Sequence, residues 1–381
     1  MVSDTEGKSI TCRAALLWGP NDLRVNQIDV AAPKEGEVRV RILYNSLCHT
    51  DLHFIDGSHT APYPAVLGHE GAGVVESVGD GVTRFKPGDA VVPTFMPQCK
   101  NCSKCARGDT NFCEKINFEN FFGDMADGTS RFSLNGEKVY HFMGTSCFSE
   151  YTVIKEIMLA KIDPEAPMDK ACLFGCGFPT GYGAAVNTAE VKQGERVAVI
   201  GAGAIGLSAI YGAHQSGAKE IYAIDINPDK EEIARKMGAT HFVNPKDAPE
   251  GTPFIVWFIK TFGTVDKAIE CIGHIECMVN AIYMTTRGWG RTVIVGVGAP
   301  GKDIAFNPAI FLERKTILGC CFGDYHGVDD IPVLVNKLKN GEINVDPLIT
   351  HHFDLEQVNE AVTLLKQGKA IRSVMAVAKK E

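Results

Sequence analysis

Hydrophobic and polar positions follow two different patterns along this chain, and the change falls near residue 175. Before it, short β-type runs such as EVRVRILY and GAGVVESVG alternate with turns that contain glycine and proline, which is typical of a mostly β domain. After it, apolar runs such as RVAVI and EIYAI each lie next to a segment of helical length. Buried strands that alternate with helices predict a doubly wound parallel sheet, so we expect an α/β protein with two domains.

The last part of the chain departs from this alternation. Two amphipathic segments, IPVLVNKLKNG and LEQVNEAVTLLKQGK, are followed by a final β-type run, SVMAVA. We interpret this tail as a return to the first domain, which would then be built from both ends of the chain. The predicted boundaries are residues 1–177 and 322–381 for that domain, with a cysteine-rich lobe at 97–115, and residues 178–321 for the parallel-sheet domain.

Composition and charge narrow the class of protein. A net charge of -8 and the lack of a basic stretch argue against nucleic acid or an anionic membrane as the main partner. The N-terminal segment carries acidic residues where a signal peptide would be basic, and no window approaches about 18 uninterrupted apolar residues. Of the 13 cysteines, seven lie outside the motifs below, and these seven are expected to be reduced, which favours the cytoplasm.

Four closely spaced cysteines form the most specific motif, in the pattern C-x2-C-x2-C-x7-C. Four thiolates this near in sequence can surround one tetrahedral cation, which is what a structural zinc requires. Surface thiols or a short disulfide knot are the alternative, and two C-x2-C steps in tandem make it the weaker one. The predicted ligands are Cys99, Cys102, Cys105 and Cys113.

A glycine-rich turn follows the apolar run RVAVI and opens a helical segment. Gly201 would permit a tight turn, and Gly203 would let the backbone approach a pyrophosphate closely. Gly206 would let the helix pack close to the sheet. Asp225 ends the next strand, where a carboxylate would accept the ribose hydroxyls and repel a 2′-phosphate, so NAD is favoured over NADP. Asp225 could instead be a turn or cap residue, and Lys230 could reach the ribose or remain solvated.

Three further residues have the chemistry of an open zinc site. Cys48 in LCHTD, His69 in LGHEGAG and Cys176 in GCGFP would supply two thiolates and an imidazole and leave one position for a substrate oxygen. Each of them, taken alone, is more often a buried structural residue than a ligand.

Taken together and in this order, these motifs resemble those of the zinc-dependent medium-chain alcohol dehydrogenases, in the long form that carries a four-cysteine lobe. The resemblance covers essentially the full length. It implies a GroES-like catalytic domain, a Rossmann domain that binds NAD, two zinc ions per subunit and a homodimer joined through the cofactor domains. It also implies that zinc polarises the alcohol oxygen while a hydride passes to the nicotinamide.

The resemblance further implies roles for individual residues. Thr50 would take the substrate hydroxyl proton, and His53 would receive it through the cofactor ribose and deliver it to solvent, although His53 could also be an ordinary surface histidine. Asp51 and Glu70 are candidates for orienting the zinc-binding histidine. Additional cofactor contacts are implied for His49, Val297 and Arg372. An apolar substrate slot above the zinc, also bordered by Val297, would be lined by Phe95, Phe118, Phe142, Met143 and Cys321.

Within this family we expect an NAD-dependent dehydrogenase for hydrophobic primary alcohols, aromatic and terpenoid ones included. The alternative is an S-(hydroxymethyl)glutathione (formaldehyde) dehydrogenase, a branch expected to carry an arginine where Asn117 stands, acidic residues in the loop 57–64 and tyrosine in place of His53. Because all three are absent, the sequence argues against that branch. A zinc-stabilised structural or binding protein is disfavoured by the intact ligand set, and a zinc-free quinone reductase by the four-cysteine lobe.

Overall fold

The computed structural model describes residues 5–116, 122–125, 127–299 and 301–378. In chain order, its strands are β1 (Ile10–Gly19), β2 (Asp22–Val30), β3 (Glu37–Ser46), β4 (Ala65–Val66), β5 (Glu70–Val78), β6 (Ala90–Pro93), β7 (Phe122–Gly123), β8 (Phe132–Leu134), β9 (Glu137–Val139), β10 (His141–Phe142), β11 (Tyr151–Lys155), β12 (Leu159–Lys161), β13 (Arg196–Ile200), β14 (Glu220–Ile224), β15 (His241–Val243), β16 (Lys267–Glu270), β17 (Arg291–Ile294), β18 (Thr316–Gly319), β19 (Ile349–Asp354) and β20 (Arg372–Ala376).

The α-helices are α1 (His49–Ile55), α2 (Ser103–Arg107), α3 (Met168–Ala171), α4 (Gly177–Gly183), α5 (Ala204–Gln215), α6 (Glu231–Lys236), α7 (Phe254–Phe262), α8 (Ile275–Met284), α9 (Asp330–Lys339) and α10 (Val358–Lys366). Short 3-10 helices occur at Glu156–Met158, Cys172–Gly175, Pro228–Lys230, Pro245–Asp247, Pro308–Glu313, Phe322–Asp324, Asp346–Leu348 and Leu355–Gln357, and a π-helix at Ala184–Thr188. Among the helices that the structure describes, none combines the length and the apolar character needed to cross a bilayer.

The chain divides into two compact units. The first consists of Met1–Cys176 and His326–Glu381, and the second of Gly177–Tyr325. The first is mostly β and the second alternates strands with helices, so the predicted fold class, a mostly β domain with a doubly wound parallel-sheet domain, is confirmed.

Antiparallel pairing dominates the first unit. Within the described residues its largest sheet has the order β12-β6-β5-β3-β20-β19, with β11 also paired to β3, and a second sheet has the order β4-β1-β2-β8-β9. β20 pairs with β3, with Val374 opposite Ser46, and this pairing places the C-terminal segment in the first unit. The same strand β3 leads into the loop that carries Cys48, so the sheet fixes the start of the candidate metal site.

A parallel sheet of the order β15-β14-β13-β16-β17-β18 forms the second unit. The central strands β13, β14 and β16 are buried almost throughout. Ala198 and Ile200 of β13 and Ile224 of β14 belong to one apolar cluster with Phe258 of α7. Burying a phenylalanine side chain stabilises a fold by about 2 kcal/mol. The strand order reverses direction at β13, and ligands of such sheets bind at the carboxyl ends of the strands at this switch point.

Candidate metal centres and cofactor loop

Four buried side chains of the first unit converge on one point. The ligand atoms of Cys48, His69, Glu70 and Cys176 all lie within 4.8 Å of one another. Cys48 is the N-cap of α1, His69 and Glu70 lie at the start of β5, and Cys176 follows the 3-10 helix Cys172–Gly175. The three residues predicted as ligands from scattered motifs are therefore brought together by the sheet and two helix ends.

The ring of His69 is oriented by Asp51. The His69 Nδ1 lies 3.1 Å from the Asp51 Oδ1, and the same carboxylate accepts hydrogen bonds from the backbone N–H groups of Gly68 (3.0 Å) and Cys48 (3.1 Å). The opposite ring nitrogen, Nε2, is buried and has no hydrogen-bond partner among the described residues. A buried imidazole nitrogen left in this state next to two thiols fits a metal ligand, because the carboxylate fixes the proton on Nδ1 and leaves the Nε2 lone pair for the cation.

Charges around Cys48 favour its thiolate form. A hydrogen bond from the Cys176 thiol is the main influence that lowers the pKa of Cys48 well below its ordinary value, and the charge of Arg372 acts in the same direction while burial opposes both. The thiolate is the form of cysteine that binds zinc.

Arg372 and Glu70 form a buried ion pair beside these ligands. The Arg372 Nε and Nη2 donate to the two oxygens of Glu70 at 3.1 and 2.9 Å, and Nη2 also lies 3.7 Å from the Cys48 Sγ. Burial raises the pKa of Glu70 to about 7, and the charge of Arg372 acts against this shift. The structure thus places Arg372 next to the zinc ligands; its contact with the cofactor pyrophosphate stays a prediction, as does that of His49, the exposed first residue of α1.

The four-cysteine lobe forms a second cluster, whose sulfur atoms also lie within 4.8 Å of one another. The Cys102 Sγ accepts hydrogen bonds from the backbone N–H groups of Cys105 and Glu114 at 3.4 and 3.5 Å, and these bonds lower the pKa of Cys102 to about 6. The Cys113 Sγ accepts in the same way from Lys115 at 3.4 Å. A closed set of four sulfurs is typical of structural zinc, whereas two sulfurs and one nitrogen leave the open position of a catalytic zinc.

The glycine-rich turn has the geometry that its sequence predicts. Gly201 has φ +96°, a backbone conformation that favours glycine. A Cβ atom on Gly206 would collide with the carbonyl oxygen of Gly201, so only glycine lets α5 pack this close to the turn. Gly203 is the N-cap of α5 with φ -78°, and a Cβ there would meet nothing within 4 Å. The protein itself does not require glycine at this position, which is consistent with a bound phosphate group approaching the backbone here.

Asp225 lies at the carboxyl end of β14 and contacts this turn. Its two oxygens accept hydrogen bonds from the backbone N–H groups of Ala202 (2.7 Å) and Asn227 (2.9 Å). Lys230 ends the 3-10 helix that follows, at the same edge of the sheet. Asp225 therefore has a structural role of its own, and the ribose contacts of Asp225 and Lys230 stay predictions.

Glu270 is a residue that the sequence analysis missed. Its Oε1 accepts hydrogen bonds from the N–H groups of Ile272 (2.9 Å) and Gly273 (2.8 Å), and a Cβ on Gly273 would collide with the carbonyl oxygen of Val297. Glu270 thus shapes the loop after β16, which packs against the exposed Val297 loop after β17. A carboxylate at the end of the buried strand KAIE was the available signal. Cys321 follows β18 in the same unit.

The residues of the predicted proton relay both lie on α1. The Thr50 hydroxyl lies 3.9 Å from the Cys48 Sγ, and the described residues show no hydrogen bond between Thr50 and His53. His53 lies near the C-terminal end of the helix, where its Nδ1 is 3.3 Å from the Ser58 Oγ. The structure therefore places Thr50 at the metal cluster and His53 one helical turn away.

Three of the predicted slot residues belong to the first unit and are described. Phe95 and Phe142 lie edge-on to the ring of His69, with centroid distances of 6.3 and 5.9 Å, and Met143 is buried next to Phe142. Phe118 lies outside the described residues, as does Asn117. The apolar side chains at the metal cluster are thus partly those that the sequence predicted.

Comparison with known proteins defines the family. The model for the alcohol dehydrogenase GroES-like domain matches residues 34–164, and the model for the zinc-binding dehydrogenase matches residues 204–340. The chain belongs to the zinc-binding alcohol dehydrogenases, oxidoreductases that use zinc and NAD. Membership of this family disfavours two alternatives, a structural or binding protein without enzymatic activity and a zinc-free quinone reductase.

Individual relatives cover the chain from end to end. It is 46% identical to alcohol dehydrogenase class-3 of Drosophila melanogaster, over 98% of this chain and 100% of the relative. It is 44% identical to S-(hydroxymethyl)glutathione dehydrogenase of Komagataella pastoris, over 98% of this chain and 99% of the relative. Among solved structures, an alcohol dehydrogenase zinc-binding domain protein from Burkholderia ambifaria has a TM-score of 0.89 at 33% identity and covers 98% of this chain and 100% of its own.

These relatives overturn two expectations. The exclusion of the glutathione-dependent branch and the preference for a dehydrogenase of hydrophobic primary alcohols are both wrong. The exclusion rested on three features, Asn117, His53 and the acid-free loop 57–64, whereas the likeness to the relatives runs over nearly the whole chain. A charged adduct can be held by other polar groups, so the lack of three particular side chains does not decide the branch.

Proposed function

We propose that this enzyme is an S-(hydroxymethyl)glutathione dehydrogenase, which oxidises the adduct of formaldehyde and glutathione with NAD. The observation that carries the proposal is the 44% identity to the Komagataella pastoris enzyme of that name over 98% of this chain. In the reaction the adduct loses a hydride from its hydroxymethyl carbon and a proton from its hydroxyl group. The product is the thioester S-formylglutathione.

The first unit supplies the groups that activate the hydroxyl. Zinc held by Cys48, His69 and Cys176 would supply a Lewis acid that polarises the substrate oxygen. Asp51 keeps the proton of His69 on Nδ1 and thereby directs Nε2 to the metal position. Arg372 places its positive charge 3.7 Å from the Cys48 sulfur and stabilises the thiolate.

Two residues of α1 then handle the proton. Thr50, whose hydroxyl lies 3.9 Å from the Cys48 Sγ, would take the hydroxyl proton, and His53, near the C-terminal end of the helix, would pass it to water. In the second unit the glycine turn and Asp225 are the candidate binding groups for NAD, which supplies the hydride acceptor when bound.

We also propose that two copies associate through the second unit, in the cytoplasm. β18 is an edge strand of the parallel sheet, and the segment before it exposes Phe311 and Leu312, which are 60% and 91% accessible. Apolar side chains beside a strand edge that no other described strand covers favour pairing with a second copy. None of the thirteen cysteines, all within the described residues, forms a disulfide, and this supports a reducing compartment.

The test is whether formaldehyde oxidation requires glutathione. NADH formation is followed by absorbance with formaldehyde alone, glutathione alone and both together, using the zinc-loaded enzyme. Saturable activity only with both supports the proposal, and equal activity without glutathione contradicts it.

Matched cysteine variants show whether that activity depends on the proposed ligands. Cys176→Ala should abolish the reaction. Cys172→Ala, a change at a buried thiol in the adjacent 3-10 helix outside the ligand set, should retain it. Equal loss in both variants would mean that the region was merely disrupted.

A further inference from the structure

The segment after α1 folds back onto the last turn of that helix. The backbone carbonyl oxygen of His53 accepts two hydrogen bonds, from the Ser58 Oγ at 3.1 Å and from the His59 N–H at 2.9 Å. The backbone N–H of Ser58 donates to the Asp56 Oδ1 at 2.8 Å, which fixes the position of the serine. The Ser58 Oγ is thereby held 3.3 Å from the His53 Nδ1.

The single hydroxyl proton of Ser58 determines the direction of the second contact. Because that proton is donated to the carbonyl oxygen of His53, the Ser58 Oγ can only accept a hydrogen bond from the imidazole. The neutral His53 ring must therefore carry its proton on Nδ1. Its Nε2 then holds the lone pair, and the described residues place no hydrogen-bond partner on that atom.

Other groups near this end of the helix do not compete for the Nδ1 proton. The charged and titratable groups that face it are Asp56, His59 and, on α10, Lys366. The carboxylate of Asp56 is engaged by the Ser58 N–H, and the Lys366 ammonium donates to the Asn21 Oδ1. The His59 ring packs at 5.1 Å between centroids, tilted by 43°, and so limits rotation of the His53 ring.

We propose that Ser58 is a positioning residue of the proton relay, which fixes His53 in the Nδ1–H tautomer and makes Nε2 the atom that accepts the proton. This inference rests on the proposed function, in which His53 receives the proton released from the substrate. An imidazole in water prefers the opposite tautomer, with the proton on Nε2. Without Ser58, the His53 ring of most molecules would therefore already carry a proton on Nε2, the atom that has to accept one.

The tautomer is measured directly, without turnover. In enzyme loaded with zinc and labelled with 15N at histidine, correlation spectra in alkaline buffer distinguish protonated from unprotonated ring nitrogens, and His53→Asn identifies the His53 signals by their loss. The wild type should show Nδ1–H. Ser58→Ala should shift the tautomer ratio towards Nε2–H by about fivefold, the change that one lost hydrogen bond produces. Ser58→Thr should restore the wild-type pattern, and Thr60→Ala, at an exposed neighbouring position, should leave it unchanged.

Kinetics of the same variants separate this inference from the proposed function. With the formaldehyde–glutathione adduct, Ser58→Ala should lower kcat about fivefold while the KM for NAD stays unchanged, and Ser58→Thr should recover kcat. A wild type with Nε2–H, or a Ser58→Ala tautomer equal to that of the wild type, overturns the inference whatever the activity. A tautomer that switches without any effect on kcat overturns the relay role, and inactivity of the wild type on the adduct would instead refute the proposed function.

Discussion

Two glycines of the cofactor turn should respond in opposite ways to the same substitution. A Cβ on Gly206 would lie well inside the 3.0 Å limit of real Cβ contacts, and the atom that it meets is a backbone oxygen of Gly201, which cannot rotate away. Gly206→Ala must therefore displace either the turn or α5. Overpacking of this kind costs about 1–3 kcal/mol, which in a unit of this size lowers the melting temperature by about 2–12 °C.

Gly203→Ala is the matched control, because the added methyl group meets nothing within 4 Å and φ is -78°. We expect its melting temperature to stay close to that of the wild type. In the complex, however, the methyl group would occupy space that the pyrophosphate approaches, so the affinity for NADH should fall by about tenfold or more, corresponding to at least about 1.4 kcal/mol.

Calorimetry and fluorescence titration with NADH measure the two effects on the same preparations. We expect a large loss of stability in Gly206→Ala and a loss of affinity without a loss of stability in Gly203→Ala; this prediction has two parts. It is refuted if Gly206→Ala melts like the wild type, or if Gly203→Ala binds NADH with unchanged affinity.

Three further changes test other parts of the site. Arg372→Met should lower the free energy of unfolding, measured in urea, by about 3–5 kcal/mol, because it leaves Glu70 buried without its partner. Adding Glu70→Gln to this variant should recover part of the loss, and additive losses in the double variant would contradict the pairing. Cys105→Ser should reduce the zinc content, measured by mass spectrometry, from two ions per subunit to one, and retention of both would argue against the closed site. Asp225→Asn should raise kcat/KM with NADP by about tenfold by removing a negative charge, and an unchanged preference for NAD would place the selectivity elsewhere.

Much of the fold and of the metal chemistry could be predicted because the signals are local. The C-x2-C-x2-C spacing and the glycine turn between a strand and a helix each lie within a short stretch, so the chain itself brings their members together. Cys48, His69 and Cys176 carry no such spacing, and a resemblance between whole sequences was needed to group them. The return of the tail to the first unit depends on pairing between β20 and β3, a contact across most of the chain.

The remaining features depend on side-chain orientation. The cofactor contact implied for Arg372 stays a prediction. Its pairing with Glu70, 302 positions away, is set by the register of the strands and has no local signal in the sequence. The bond between Ser58 and His53 depends on a loop folding back onto α1, for which hydrophobic periodicity gives no signal. The branch could not be predicted from Asn117, His53 and the loop 57–64, because other polar groups can hold a charged adduct.

The most direct test of the central claim is a comparison of kcat/KM for the formaldehyde–glutathione adduct and for 1-octanol, measured by NADH formation on one preparation of zinc-loaded enzyme. The account predicts that kcat/KM for the adduct is the larger of the two and that the rate with formaldehyde falls to background when glutathione is omitted. A larger kcat/KM for 1-octanol, together with a formaldehyde rate that does not respond to glutathione, would contradict it.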